Sequence, residues 1–188
     1  TTTRLHQELA GARFEDVIID EAHEPSSLAP FKGSVDLAKL AALVKRVGAD
    51  KVPYITVGCP VNLAGGQPVS LANLREVAAF CRPKGIMVVI DGARAVENAF
   101  FIQEREAECR GWSVRRNLRE MCANADTICV SAKKDLYVNI GGFLATRDQG
   151  LYEKAAELCV VYEGLHTYGG LAGRDLEAMA VGCEEMVQ

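Results

Sequence analysis

Short apolar runs rich in β-branched residues recur along this chain, and helical patterns separate most of them. That alternation limits the fold more than any other feature. The runs are "FEDVIID" (14–20), "VPYITVGC" (52–59), "GIMVVID" (85–91), "DTICVSA" (126–132) and "GFLATRD" (142–148). Each has the length and side-chain type of a strand. Behind Asp36, Leu37, Leu40 and Val44 share one helical face. Behind Ser70, a natural N-cap, Leu71, Leu74, Val77, Ala78 and Cys81 share another, which Lys84-Gly85 brings to an end. The patterning predicts further helices over about 94–108 and 113–124, and a packed helix through Leu176, Met179, Ala180, Cys183 and Met186. Helical crossovers join parallel strands, so the expected class is α/β, with a mostly parallel sheet covered on both faces. The link "SAKKDLYVNIGGFLA" holds no helix and reads as an antiparallel return. No repeat or low-complexity linker divides the chain.

The opening run ends in Asp20-Glu21-Ala22-His23, a sequence that holds nucleotide-bound magnesium in helicases. Such a motor also needs a phosphate cradle of the form G-x-x-x-x-G-K-[ST], and this sequence has none. The net charge of −4 and pI near 5.5 argue further against a nucleic-acid groove, which needs a basic face. The four residues are read as a solvated loop. No apolar run approaches the ~20 residues of a membrane span, so no membrane partner is expected. Seven cysteines without a C-x-x-C pair fit free thiols in a reducing cytoplasm better than a disulfide frame or a zinc site. The chain opens on "TTTRLHQ" without an initiator Met and closes inside a helical pattern, so a piece of a longer protein is expected.

Ligands of open parallel sheets sit at the carboxyl ends of the strands. Here those ends carry Asn62 after the second run, Asp91 and Arg94 after the third, and Ser131, Lys133 and Lys134 after the fourth. This mixture suits an anionic, nitrogen-containing ring cofactor better than a metal or a hydrolytic triad. Pyridoxal phosphate asks for a Schiff-base lysine, a carboxylate on the pyridine nitrogen, a donor to the ring 3-oxygen and donors to the phosphate. Asp91 suits the ring nitrogen. Lys134 or Lys133 could supply the amine, with Ser131 and the other lysine toward the phosphate. Arg94 or Asn62 could reach the 3-oxygen. Taken singly, each residue has an ordinary reading. Asp91 could form a turn, the lysines could be a surface pair, Arg94 could pair with Glu97, and Asn62 with Gly65-Gly66 could be turn chemistry. The joint pattern at successive strand ends favours the cofactor.

Four stretches, "VNLAGGQPVSLANL", "DGARAVENAFFIQEREAE", "SAKKDLYVNIGGFL" and "VVYEGLHTYGGLAGRDLEAMAVG", resemble the β-eliminating lyases, the family of the tyrosine phenol-lyases and tryptophanases. The similarity covers essentially the whole chain. It implies the large domain of fold-type I pyridoxal-phosphate enzymes, with residues 1–188 as part of that domain. By the same resemblance the phosphate loop lies upstream, and the small domain lies downstream. Lys134 matches the Schiff-base lysine, Asp91 the partner of the pyridine nitrogen, and Arg94 the arginine near the 3-oxygen. Asn62 matches the asparagine at that oxygen and the substrate carboxylate. Ser131 and Lys133 match phosphate contacts, and Asn139 matches a ligand of the activating monovalent cation, usually potassium.

Thr1 falls where the phenol-lyases carry a threonine near the substrate hydroxyl. "TTTRLHQ", "DEAHEPSS" and "YGGLAGRD" follow the phenol-lyase version, whereas "SAKKD" and "DGAR" look more like tryptophanase. The resemblance therefore implies α,β-elimination of L-tyrosine to phenol, pyruvate and ammonium, in a cytoplasmic homotetramer of aromatic amino acid catabolism. The segment alone is expected to be inactive. The alternatives are indole release from tryptophan, another fold-type I reaction, and a non-catalytic scaffold.

Overall fold

The computed structural model describes residues 2–188. Its elements are α1 (Thr2–Leu9), α2 (Leu37–Val47), β1 (Tyr54–Gly58), α3 (Leu71–Cys81), β2 (Met87–Asp91), α4 (Ala95–Arg105), α5 (Val114–Ala123), β3 (Thr127–Ser131), β4 (Gly142–Thr146), α6 (Gln149–Tyr162) and α7 (Gly173–Glu185). The four strands form one sheet in the order β1-β2-β3-β4. The first two pairings are parallel and the last is antiparallel. Each parallel pair is joined through a helical crossover, whereas the short link between β3 and β4 can only fold back. The expected α/β class, including the antiparallel return, therefore stands.

Local chemistry sets the helix starts. The Asp36 carboxylate accepts from Ala38 N and Lys39 N at 2.8 and 3.0 Å, and Ser70 Oγ accepts from Asn73 N at 3.0 Å. Ser113 caps α5 in the same way, and Asp148 caps α6. Helix α6 was not legible, because its run Cys159-Val160-Val161 blurs the helical period. Pro53 has no N–H to give the sheet, so β1 starts at Tyr54, although the Pro53 carbonyl still accepts from Met87 N at 3.1 Å.

One expected strand is absent. Residues 14–20 make a single antiparallel bridge, Ile18 with Val35, and never join the sheet. The Asp16 carboxylate accepts from Ile18 N at 3.0 Å. This local bond takes the place of a ladder bond. The stretch Asp20–His23 that follows is one 3-10 turn, and its Asp20 pairs with Lys39. That is a surface role, as expected for a solvated loop.

The core lies between the sheet and α2–α5. Leu40, Val57, Leu71, Leu74, Val77, Val88, Ile90, Ile102 and Met121 form it. Two asparagines are buried there with satisfied amides. Asn98 accepts from Val69 N and donates to Val69 O, both at 2.9 Å, while Asn73 does the same for Val35 at 2.8 and 2.9 Å. Each side chain acts as a missing strand neighbour for an isolated backbone segment. All seven cysteines are free.

Candidate active site

Asp91 is the last residue of β2, with Gly58 of β1 on one side and Cys129 of β3 on the other. Its carbonyl accepts from Cys59 N at 2.9 Å, and Gly92 N donates to Cys129 O at 2.8 Å, so neighbouring strands hold the strand end on both sides. A Cβ at Gly92 would stand 2.8 Å from Ile128 Cδ1, so only glycine lets this turn lie so close to β3. The Asp91 carboxylate accepts from Thr3 Oγ1 at 3.3 Å and from Ala93 N at 3.4 Å. Both bonds are long, and a carboxylate offers about four acceptor positions, so most of its capacity remains for a ligand. Beneath it, burial above all, and then the Asp91 charge, push the Cys59 thiol far up. That thiol stays protonated and inert.

Arg94 occupies the N-cap position of α4 without capping it. Its guanidinium donates to Asn62 Oδ1 and pairs with Glu97 at 3.3 Å. Asn62 opens a 3-10 turn after β1, and Gly65 and Gly66 follow in left-handed conformation at φ 80° and 74°. A Cβ at Gly66 would lie 3.3 Å from Arg94 Nη2, so this glycine makes room for the guanidinium. The ordinary reading of Arg94, an ion pair with Glu97, is what the structure shows, and the guanidinium also meets Asn62.

Ser131 ends β3, two residues beyond the partner of Asp91. Lys134 Nζ lies 3.4 Å from Ser131 Oγ. Lys133, Lys134 and Asn139 are exposed in the link between β3 and β4. The structure therefore joins Asn62 to Arg94 and Ser131 to Lys134, and it sets both pairs at the carboxyl end of the sheet around Asp91. Thr1 lies outside the described residues.

Two residues near this end were missed by sequence reasoning. Thr3, on α1, reaches Asp91. Asp135, directly after Lys134, accepts from Val96 N in the first turn of α4 at 2.8 Å. Burial raises the Asp135 carboxyl above its ordinary range, against the pull of the Val96 and Glu97 N–H groups. The available signal was indirect: α4 begins at an arginine, which cannot cap, so its free N–H groups require an acceptor from elsewhere. The next residue, Leu136, is buried, and its carbonyl lies against Gly182 of α7.

A carboxylate on a rigid strand end, an amine beside a hydroxyl, and a guanidinium held by an amide suit the ring nitrogen, aldehyde, phosphate and 3-oxygen of pyridoxal phosphate. A cavity of about 320 Å³, lined by Arg82, Met87, Asp126 and Arg147 among others, opens at the opposite, amino ends of the strands. Ligands of open parallel sheets sit at the carboxyl ends instead. Among the described residues no three His, Cys, Asp or Glu side chains gather to hold a metal, and no helix is long and apolar enough to cross a membrane.

Comparison with known proteins agrees with this geometry. Two solved structures share the fold at 20% identity. One is a putative L-allo-threonine aldolase from Listeria monocytogenes, with TM-score 0.54, covering 71% of this chain and 33% of that one. The other is a putative aromatic amino acid β-eliminating lyase/threonine aldolase from Exiguobacterium, with TM-score 0.52, covering 69% and 32%. In sequence, the tyrosine phenol-lyase of Nostoc punctiforme is 60% identical over 188 residues, all of this chain and 40% of that protein. That of Pasteurella multocida is 57% identical over 187 residues, 100% of this chain and 41% of that protein. That of Intrasporangium calvum is 60% identical over 185 residues, 98% and 39%. This chain spans about two fifths of the length of these relatives. The family model described as β-eliminating lyase matches residues 1–186. With residues 1–186 matched, this chain belongs to the β-eliminating lyase family.

Proposed function

We propose that the protein containing this chain is a pyridoxal phosphate-dependent lyase that converts L-tyrosine and water into phenol, pyruvate and ammonium. The observation that carries this reading is the match of 98–100% of this chain to tyrosine phenol-lyases at 57–60% identity, with Asp91 at the end of β2 and Lys134 just beyond the end of the neighbouring β3. When bound, the cofactor supplies an electron-accepting ring for the carbon that loses its proton.

The chain's own residues divide the remaining work. Lys134 Nζ anchors the cofactor and, once released by the substrate amine, takes the α-proton. The Asp91 carboxylate holds a proton on the ring nitrogen. Arg94 donates toward the 3-oxygen, and Asn62, held by Arg94, faces that oxygen and the substrate carboxylate. Ser131 and Lys133 bind the phosphate. Thr1 contacts the phenolic oxygen of the substrate. Asn139 supplies oxygen to a potassium ion, and the assembly is a homotetramer. The free thiols favour a cytoplasmic location.

The test uses the full-length protein with pyridoxal phosphate and potassium. A visible absorption band lost in Lys134→Ala, together with phenol from L-tyrosine, supports the proposal. Indole from L-tryptophan without phenol would move the protein to tryptophanase chemistry and discredit the role given to Thr1. A Lys134-dependent band with neither product would keep the cofactor and discard the substrate. No band at all would leave a scaffold.

A further inference from the structure

The turn that carries Lys134 is held in place by its neighbour. Helix α4 begins four residues after the Asp91 strand end, and its N-cap residue, Arg94, uses its side chain on Asn62 and Glu97 instead of capping. The free N–H groups of the first turn of α4 are met from 39 residues away, where Asp135 Oδ2 accepts from Val96 N at 2.8 Å. The nearby Glu97 N–H, like that of Val96, favours the charged form of this carboxyl. Tyr137 N donates to Lys134 O at 3.1 Å, closing a tight turn around Asp135, and Tyr137 takes the left-handed conformation at φ 55°. A non-glycine residue in that region persists only where its surroundings hold it. Leu136 is 2% exposed and Asp135 is half-buried, so this turn is anchored, although the Lys134 side chain itself is exposed.

We propose that Asp135 is a positioning residue: by accepting the Val96 N–H it ties the Lys134 turn to the start of α4, and thereby fixes the lysine amine relative to Asp91. This rests on the cofactor reading given above. One carboxylate serves two segments here. It caps the helix that follows the ring-nitrogen partner, and it aligns the turn that bears the amine. Loss of the bond therefore loosens both together, which an ordinary helix cap does not do.

The test is made on the full-length protein, with Ser113→Ala as the control, since that change removes the cap of α5, far from the lysine turn. Amide hydrogen exchange is followed across 94–98 and 132–139 without cofactor, and the rate of appearance of the Lys134-dependent visible band is followed after pyridoxal phosphate is added. In Asp135→Ala, exchange is expected to quicken about fivefold in both segments, and the band to form about tenfold more slowly. Ser113→Ala should leave both at their wild-type values. Asp135→Asn, which keeps one acceptor oxygen, should fall between wild type and alanine, and it carries the test if the alanine variant does not fold. Faster exchange confined to 94–98 overturns the proposal, as does wild-type behaviour of Asp135→Asn in both readouts. A normal wild-type band whose rate ignores Asp135 overturns the proposal alone. A wild-type protein without any Lys134-dependent band overturns the cofactor reading and the positioning role together.

Discussion

Two glycines on α7 should respond to the same substitution with opposite signs. A Cβ at Gly182 would stand 2.4 Å from the Leu136 carbonyl oxygen and 3.1 Å from Leu136 Cβ, whereas a Cβ at Gly173 meets nothing within 4 Å. Side-chain carbons do not approach backbone oxygens closer than 3.0 Å, and the obstacle is backbone that cannot rotate away. In Gly182→Ala, α7 must therefore withdraw from the lysine turn by more than about half an ångström, an overpacking cost of about 1–3 kcal/mol. The intrinsic helix preference of alanine returns about 0.5–1 kcal/mol. The net expectation is a loss of about 1–2 kcal/mol for Gly182→Ala. Gly173→Ala carries only the favourable part and should gain about 0.4–1 kcal/mol. Equilibrium urea denaturation of the full-length protein reads both, as shifts of the midpoint at unchanged slope. Because Leu136 is two residues from Lys134, Gly182→Ala should also slow formation of the Lys134-dependent band. A Gly182→Ala protein as stable as wild type would refute the seating of α7 on the Leu136 carbonyl, and with it the account of how the turn is clamped from that side.

Other predictions address the core, the thiols and the acid at the turn. Asn98→Ala leaves both Val69 backbone groups without partners inside the core and should cost about 2–5 kcal/mol in urea denaturation; a loss under about 1 kcal/mol would show that water replaces the amide. Burial pushes the Cys81 thiol up to about 11 and raises Cys59 and Cys109 in the same direction. At pH 8 these three buried thiols should resist iodoacetamide until the protein unfolds, as read by peptide mass spectrometry. Asp135, raised mainly by burial, holds its proton in the folded state at pH values where the unfolded chain has released it. Native stability should therefore fall as pH rises from the ordinary Asp value of 3.8 through the raised one. Asp135→Asn lacks this component, so its stability relative to wild type should improve with pH across that window, and a flat difference would contradict the burial argument.

Much of this molecule is legible in short stretches of sequence. The strands β1 to β4 lie inside runs whose β-branched residues favour an extended, half-buried backbone. The caps Asp36, Ser70 and Ser113 announce their helices because the acceptor and the N–H groups it serves are three residues apart or fewer. That Asp91, Ser131 and Lys134 lie at or just beyond strand ends is legible in the same way, but that those ends are neighbours is decided by the sheet order β1-β2-β3, which sequence alone does not fix. Other features depend on partners far away in the chain, which no local period records. Residues 14–20 have the composition of a strand, but Ile18 N bonds the Asp16 carboxylate, and the run pairs with one residue of a loop, Val35, rather than with the sheet. Asn73 and Asn98 read as ordinary polar helix positions, yet they are buried as partners for backbone 38 and 29 residues away. Asp135 reads as a surface acid beside two lysines until α4 is brought to it. A hydrogen bond is decided by where its donor finally lies, and for these groups the folding of distant segments against one another supplies the donor.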